Sequence, residues 1–133
     1  MSGYDQIFLV DDHDMTNVMH KIFFKKLGLD SKITTFTNPE VALNQLRTFK
    51  KEKIDLLMFL DLNMPEMSGF ELLEILRKEN FPTTFQVIIV TSSISPLDRA
   101  KSEKYHEFVK GFVTKPMRPD TLKEITGNLL RTG

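Results

Sequence analysis

The chain has 133 residues, no cysteine and no formal net charge, because 18 Lys and Arg side chains balance 18 Asp and Glu side chains. A neutral chain has no general electrostatic attraction to nucleic acid or anionic membrane, and a chain without cysteine has no disulfide, thiol chemistry or thiolate metal site. The start is too polar for a signal peptide and no apolar run approaches the roughly 18 residues of a membrane span, so we expect one cytoplasmic domain over residues 1–133.

Five short apolar segments predict β-strands. They are IFLV at 7–10, KITTF at 32–36, LLMFL at 56–60, VIIV at 87–90 and GFV at 111–113. Four of them are apolar throughout, which is typical of strands buried on both faces of a parallel sheet. The KITTF segment alternates and is β-branched, so we expect it at a more exposed position, as an edge strand.

The first predicted helix covers residues 15–27, and Gly28 is expected to end it. Its apolar residues recur at helical spacing, which predicts that they form the buried face. This stripe consists of Met15, Val18, Met19, Ile22, Phe23 and Leu27. Phe24 lies off the stripe, beside His20 and Lys21, and is expected to be an exposed or partly covered aromatic residue.

Four more helical patterns follow the other strands. The second helix has Asn38 as its expected N-cap and Pro39 at its first position, and the third opens with Ser68 and Glu71 at the spacing of a capping box. Their predicted buried faces are Ala42, Leu43, Leu46 and Phe49, and Leu72, Leu73 and Leu76 with Phe70 and Ile75 beside them. The fourth, over 96–108, has a thin apolar face of Leu97, Ala100 and Phe108, and the fifth carries Leu122, Ile125 and Leu129.

Strands and helices alternate five times, which predicts a parallel sheet with helices on both faces. Each strongly apolar strand is followed by polar residues, and the carboxyl ends of parallel strands share one edge of the sheet. We therefore expect a group of side chains to meet there. The group consists of Asp11, Asp12, Asp61, Thr91 and Lys115.

These residue types favour phosphoryl chemistry. Three carboxylates in one pocket repel one another, and a divalent cation relieves the repulsion. Oxygen ligands without cysteine favour Mg²⁺, while an ammonium and a hydroxyl complete a site for a phosphoryl group. Attack by a carboxylate oxygen would give an aspartyl phosphate. Capping or turn chemistry explains each residue taken singly, but not their recurrence at four strand ends.

The sequence resembles the receiver domain of two-component response regulators, especially the stand-alone chemotaxis type. The resemblance rests on LVDDHD, LMFLDLNMPEMSGFELL, VIIVTSS and GFVTKP, and it covers essentially the whole chain. It implies an α/β, flavodoxin-like (βα)5 fold whose five parallel strands are in the order 2-1-3-4-5.

The resemblance also implies roles in phosphoryl transfer. Asp61 matches the phosphoacceptor, and Lys115 matches the ion-pair partner of the phosphoryl group. Asp12 matches the carboxylate that binds Mg²⁺ directly, with Asp11 assisting. Asn63 would give its backbone carbonyl to the metal.

Further positions match the conformational switch of the family. Thr91 matches the hydroxyl that turns toward the phosphoryl group, and Phe112 matches the aromatic residue that then rotates inward. Pro116 matches a cis proline. Asn63 and Ser93 flank the acceptor and tune dephosphorylation in the family.

The implied partners are a sensor histidine kinase or histidine phosphotransferase and an unknown downstream protein, with no direct contact to nucleic acid or membrane. A phosphorylation-dependent homodimer is compatible with this interpretation. The first helix resembles the family's surface for the phosphodonor, which gives Phe24 a docking role. Two alternatives stay open. One is a receiver-like interaction module with a degenerate pocket, and the other is a haloacid-dehalogenase-like phosphatase, which needs a second Asp where Asn63 stands.

Overall fold

Five strands and five helices alternate along the chain, as predicted. The computed structural model describes residues 4–29 and 32–132, with side chains described up to residue 127. The strands are β1 (Gln6–Val10), β2 (Ile33–Phe36), β3 (Leu56–Leu60), β4 (Phe85–Thr91) and β5 (Val109–Thr114). The helices are α1 (Asp14–Lys26), α2 (Pro39–Lys50), α3 (Gly69–Lys78), α4 (Pro96–Glu103) and α5 (Pro119–Thr132).

The strands form one parallel sheet in the order β2-β1-β3-β4-β5, which confirms the predicted topology. At one edge β2 exposes Thr34 and Thr35, as its alternating sequence indicated. At the other edge β5 is only half-buried. The prediction that GFV at 111–113 is covered on both faces is therefore wrong, because β5 pairs with β4 alone and shares its outer side with solvent.

The sheet separates two apolar clusters, because side chains alternate between the faces of each strand. The first cluster joins β1 and β3 to α2 and α3 and includes Phe8, Val10, Leu43, Leu46, Met58, Leu60, Leu72 and Leu73. The second lies on the opposite face with α1 and α5 and includes Ile7, Leu9, Phe24, Leu57, Phe59 and Leu122. The predicted buried faces of α2 and α3 are confirmed, with Phe49 and Ile75 partly buried against the first cluster.

Local signals set the helix ends as expected. The Asn38 side chain accepts a hydrogen bond from the backbone N–H of Glu40 at 2.9 Å. Ser68 and Glu71 form the reciprocal hydrogen bonds of a capping box at the start of α3. Gly28 follows α1 with φ of 75°, a conformation that glycine adopts without steric cost.

The buried face of α1 differs from the predicted one. Much of the predicted stripe is exposed to solvent, with fractional exposures of 76% for Met15, 44% for Val18, 45% for Met19 and 48% for Ile22. Phe23 and Leu27, at the end of the stripe, are partly buried against the second cluster, as predicted. The fully buried residues of the helix are instead Asn17, His20 and Phe24. Phe24 is 0% exposed, and its ring packs edge-on against Phe59 with centroids 5.3 Å apart. The predicted exposure of Phe24, and with it the docking role, is wrong.

Polar contacts determine which face of α1 is buried. The amide nitrogen of Asn17 donates to the backbone carbonyls of Asp11 and Phe36, both at 3.0 Å. These bonds tie the helix to the ends of β1 and β2 and satisfy buried carbonyl groups. His20 is buried one turn further along, and its burial lowers its pKa, with the Asp11 carboxylate partly opposing that shift. Two polar residues therefore occupy the inner face, where apolar spacing alone would not place them.

The last two helices also depart from expectation. Helix α4 ends at Glu103, so it is shorter than the predicted 96–108, and Leu97 on its first turn is 80% exposed. Phe108 is buried, but it lies in the connection to β5 and not on the helix. On α5, Leu122 is buried and Ile125 partly so, whereas Leu129 lies outside the described side chains. None of the helices in the described ranges is long and apolar enough to span a membrane.

Candidate functional site

The ends of the central strands meet at one edge of the sheet. The backbone N–H of Asp61, just after β3, donates to the carbonyl of Val10 at the end of β1, at 3.0 Å. The backbone N–H of Lys115, just after β5, donates to the carbonyl of Thr91 at 2.7 Å. Backbone hydrogen bonds therefore join the carboxyl ends of β1 and β3, and those of β4 and β5, at this edge of the sheet.

Three carboxylates gather there. One oxygen each of Asp11, Asp12 and Asp61 and one ring nitrogen of His13 all lie within 4.8 Å of one another. Asp11 and Asp61 are each 4% exposed, and the Asp12 side chain is 22% exposed. The structure thus brings together the acidic residues that the sequence places about fifty positions apart, with Asp11 and Asp61 buried and Asp12 more exposed.

Lys115 supplies positive charge to this pocket. Its Nζ lies 2.6 Å from Asp11 Oδ2 and 3.6 Å from Asp61 Oδ2, and its side chain is 17% exposed. The pocket has one ammonium and three carboxylates, so its side chains carry an excess of negative charge. That excess favours a cation.

The carboxylate of Asp61 titrates unusually high. Burial, and next the negative charge of Asp11, raise the pKa of Asp61 from 3.8 to about 6. The Lys115 ammonium and a hydrogen bond from the Asn63 N–H act in the opposite direction. Since a pKa of about 6 lies below neutral pH, most of the Asp61 population is ionised at pH 7.

The donor set fits a hard divalent cation such as Mg²⁺. Carboxylate oxygens are the ligands that Mg²⁺ prefers, and the chain contains no cysteine that would favour a softer ion. Asp12 Oδ1 is a buried oxygen that accepts no hydrogen bond within the described part of the chain, although His13 Nδ1 lies 3.2 Å away. A buried acceptor without a donor is costly, and a bound cation would satisfy it.

The remaining predicted site residues surround these groups. The N–H of Asn63 donates to Asp61 Oδ1 at 3.3 Å, and its side chain is exposed. Thr91 is buried, with its hydroxyl oxygen accepting from the N–H of Ser93 at 3.1 Å. The Ser93 hydroxyl in turn donates to Asp98 on α4 at 2.6 Å, so the loop after β4 is joined to the first turn of α4.

Phe112 and Pro116 lie on the β5 side of the pocket. Phe112, on β5, is half-buried beside α4, and the Arg99 guanidinium carbon lies 5.1 Å from the centre of its ring. The peptide bond between Lys115 and Pro116 is cis. The aromatic ring therefore lies on the strand that leads into Lys115 and beside the helix that the Ser93 loop contacts.

Two residues that support the site were not predicted as such. Asn17 fixes the carbonyl of Asp11, as described above, but a polar residue within a helix looks like a surface residue in sequence. Gly69, the first residue of α3, donates its N–H to the Leu62 carbonyl at 2.9 Å. A Cβ atom on Gly69 would lie 2.6 Å from the Asp61 carbonyl oxygen and 3.0 Å from Leu62 Cα. The Ser-Gly pair in the sequence was the available signal, and it indicated only a helix start.

Gly69→Ala is expected to lower the free energy of unfolding by about 1–3 kcal/mol, because the loop carrying Asp61 must move to admit the methyl group. Gly127→Ala is the matched control, since a Cβ at Gly127 on α5 meets nothing within 4 Å. Alanine is the better helix former, so the control should be neutral or slightly stabilising. Urea unfolding of both variants measures the difference, and equal stability of the two would contradict the close approach at Gly69.

Comparisons with known proteins agree with this arrangement. The family model described as the response regulator receiver domain matches residues 7–126, which include every residue of the pocket. A chemotaxis protein CheY homologue of Campylobacter jejuni is 30% identical over 128 residues, covering 96% of this chain and 94% of that protein. A probable transcriptional regulator, ycf29, of Porphyra purpurea is 36% identical over 96 residues, covering 70% of this chain but 44% of the relative.

Solved structures share the fold. A two-component response regulator from Cytophaga hutchinsonii aligns with a TM-score of 0.82 at 24% identity, covering 98% of this chain and 99% of that one. Another, from Legionella pneumophila, aligns with a TM-score of 0.79 at 26% identity, covering 95% and 98%. The family match spans the acidic pocket, and the solved regulators align over nearly the whole chain. The chain therefore belongs to the response regulator receiver domain family of two-component signalling.

Proposed function

We propose that the chain is a single phosphoacceptor receiver domain that accepts a phosphoryl group on Asp61 from a phosphohistidine of a sensor kinase or phosphotransferase in the cytoplasm. The observation that carries the proposal is the grouping of three carboxylates and Lys115 at the end of the sheet, with distances of 2.6 and 3.6 Å from the ammonium to Asp11 and Asp61. The domain acts as a switch that is modified once per cycle, and not as a turnover enzyme.

The transfer step uses the ionised form of Asp61. A carboxylate oxygen attacks phosphorus, the phosphorus–nitrogen bond of the donor breaks, and the imidazole leaves with the electron pair. Asp12, Asp61 and the Asn63 carbonyl would hold Mg²⁺, with Asp11 assisting, and the bound ion would neutralise charge on the phosphoryl oxygens. The Lys115 ammonium would also offset the negative charge on the phosphoryl oxygens.

The switch follows from the change in charge at Asp61. A phosphoryl group there offers new acceptors to the Thr91 hydroxyl and the Lys115 ammonium. Thr91 would then give up the hydrogen bond from Ser93, and the loop that Ser93 joins to α4 would shift. Phe112, half-buried beside α4, would turn inward into the vacated space. The surface formed by α4, β5 and α5 would change shape, and the downstream protein or a second copy of the domain would bind that surface.

Phosphorylation by a small donor tests the proposal. Acetyl phosphate with Mg²⁺ should give a stoichiometric, base-labile adduct, detected by intact mass, that is absent in Asp61→Asn. Asp12→Ala should weaken Mg²⁺ binding strongly while leaving the folded state largely intact. A wild-type chain that forms no adduct would contradict the proposal and favour an interaction module with a degenerate pocket.

Lys115→Ala is expected to accept phosphoryl groups but to respond weakly. A hydrogen bond to a charged group contributes about 1.5–3 kcal/mol, so its loss would lower the active-to-inactive ratio by about tenfold or more. Amide chemical shifts of α4 and β5 before and after phosphorylation measure the response. Lys110→Ala is the control, because Lys110 lies on β5 with an exposed side chain, five residues before Lys115. If phosphorylation changed the amide chemical shifts equally in Lys115→Ala and wild type, Lys115 would have no role in the conformational switch.

The exposed stripe on α1 supports a docking site for the phosphodonor. Met15, Val18, Met19 and Ile22 form it, on the helix that begins two residues after Asp12. Four neighbouring apolar side chains on the helix that begins beside the pocket fit a partner with an apolar face that presents its histidine to Asp61. The docking role thus moves from Phe24, which is buried, to this stripe.

Met19→Glu is expected to slow transfer from a phosphorylated histidine phosphotransfer protein by about tenfold, equivalent to about 1.4 kcal/mol of lost contact. Its rate with acetyl phosphate should match wild type, because the pocket is unchanged. Val41→Glu on α2, where Val41 is 50% exposed, is the control. Rapid-quench measurement of the phosphoprotein gives both rates, and an equal slowing with acetyl phosphate would mean that the substitution damages the pocket and not docking.

A further inference from the structure

His13 places a nitrogen ligand beside the acidic pocket, and no step described above uses it. Its Nδ1 lies 3.2 Å from Asp12 Oδ1 and 3.3 Å from Asp11 Oδ1. His13 is the N-cap residue of α1, yet its side chain makes no capping hydrogen bond. Instead the imidazole faces the carboxylates, with its side chain 71% exposed at the mouth of the pocket.

The backbone of His13 is held next to the carboxylates. The N–H of His13 donates to Asp11 Oδ1 at 2.9 Å, and Asp11 is itself held by Lys115 at 2.6 Å. Asp11 and the peptide of His13 therefore form one hydrogen-bonded unit. From this backbone position the exposed imidazole lies 3.3 Å from Asp11 and 3.2 Å from Asp12.

The separations match those between ligands of one ion. Neighbouring ligands of a six-coordinate cation with bonds of about 2.1 Å lie about 3.0 Å apart. The Nδ1 of His13 is 3.2 Å from Asp12 Oδ1, which is the buried oxygen that accepts no hydrogen bond from any described residue. Asp12 Oδ1 therefore lacks a partner that a cation would supply, and the neutral imidazole that has its lone pair on Nδ1 can bind the same ion, with Asp11 Oδ1 as its neighbour at 3.3 Å.

We propose that His13 Nδ1 is an additional ligand of the cation bound by Asp12 and Asp61, and that it shifts the selectivity of the pocket toward divalent transition-metal ions such as Ni²⁺. The proposal rests on the metal site of the proposed function. Imidazole binds Ni²⁺, Zn²⁺ and Fe²⁺ well, whereas Mg²⁺ prefers oxygen. The nitrogen therefore adds affinity for the first group of ions and little for Mg²⁺.

A simple ion pair between a protonated His13 and the carboxylates is the competing explanation, and it predicts the opposite result. An imidazolium would compete with any cation for Asp12, so removing it would strengthen binding of Mg²⁺ and Ni²⁺ alike. A nitrogen ligand, when removed, weakens Ni²⁺ selectively. The ratio of the two affinities separates the explanations.

Isothermal titration calorimetry of the untagged chain with Ni²⁺ and with Mg²⁺ tests the proposal. In His13→Asn, which keeps a good N-cap residue and offers only an oxygen ligand, we expect Ni²⁺ affinity to fall by at least about tenfold, the lower bound for losing even an outer-shell partner of a metal site. Mg²⁺ affinity should change little. His106→Asn, at an exposed histidine on the connection before β5, should change neither affinity.

Each other outcome overturns the inference. An unchanged ratio, or equal strengthening of both ions, means that His13 is an ion-pair partner and not a ligand. An equal loss of Ni²⁺ affinity in His106→Asn means nonspecific binding to surface histidines. If the wild-type chain binds Mg²⁺ and Asp12→Ala weakens that binding, only the role of His13 is refuted. If the wild-type chain shows no Mg²⁺ binding that depends on Asp12, the metal site of the proposed function is refuted as well.

Discussion

Phe24→Ala is expected to lower the free energy of unfolding by about 3–5 kcal/mol, the usual cost of truncating a buried phenylalanine. Phe24 is 0% exposed and packs against Phe59 in the second apolar cluster, so the substitution removes apolar contacts and leaves a cavity between α1 and the sheet. Equilibrium unfolding in urea measures the loss.

Ile22→Ala, two residues earlier on the same helix, is the matched control. Ile22 is 48% exposed and belongs to the stripe that sequence spacing assigned to the core. A surface truncation changes stability by about 0.5 kcal/mol or less. A larger loss for Ile22→Ala than for Phe24→Ala would restore the predicted orientation of α1 and remove the basis for docking at the exposed stripe.

Asp61→Asn is expected to stabilise the metal-free protein at pH 7 by about 3 kcal/mol. The pKa of Asp61 is about 6 in the folded chain against 3.8 as the ordinary value, a difference of about two units at about 1.4 kcal/mol each. The folded state binds the Asp61 proton more tightly than the unfolded state does. The protonated side chain therefore contributes stability that is fully present below pH 4 and is lost as pH rises through about 6. Asparagine stays neutral and does not incur this loss.

Unfolding free energies of wild type and Asp61→Asn in EDTA, from pH 4 to pH 7.5, measure the effect. The gap between them should be small at the acid end and widen through pH 6, and Mg²⁺ should narrow it at neutral pH by stabilising the ionised wild type. Glu66→Gln, which also removes one negative charge but at an exposed residue of the loop after β3, is the matched control. If the difference in unfolding free energy between the two proteins narrowed with rising pH, the Lys115 ammonium would be stabilising the Asp61 carboxylate by more than burial destabilises it.

The sheet and the pocket could be predicted because both follow from short-range signals and one rule of topology. Fully apolar runs identified the strands, and parallel strands place their carboxyl ends at one edge. Asp61 and Lys115 were therefore expected to approach one another, and their side chains lie 3.6 Å apart. The caps at Asn38 and Ser68 were predicted for the same reason, since each depends on residues within three positions.

The orientation of α1 could not be predicted in this way, because the helix carries two stripes at similar spacing. The more apolar one, through Met15 and Ile22, is exposed. The buried one contains Asn17 and His20, whose place inside depends on hydrogen bonds to β1 and β2 and on contacts that only the folded chain reveals. Gly69 is a similar case, since its importance lies in a distance to the Asp61 carbonyl and not in any pattern along the chain.

Every helix in this fold follows a parallel strand, so every helix begins on the side of the sheet where the pocket lies. The N–H groups of a helix's first turn carry partial positive charge, and α1 starts only two residues after Asp12. The peptide backbone therefore offsets part of the negative charge of the three carboxylates at this edge. Because this contribution comes from the main chain, substituting a side chain of the pocket leaves it in place.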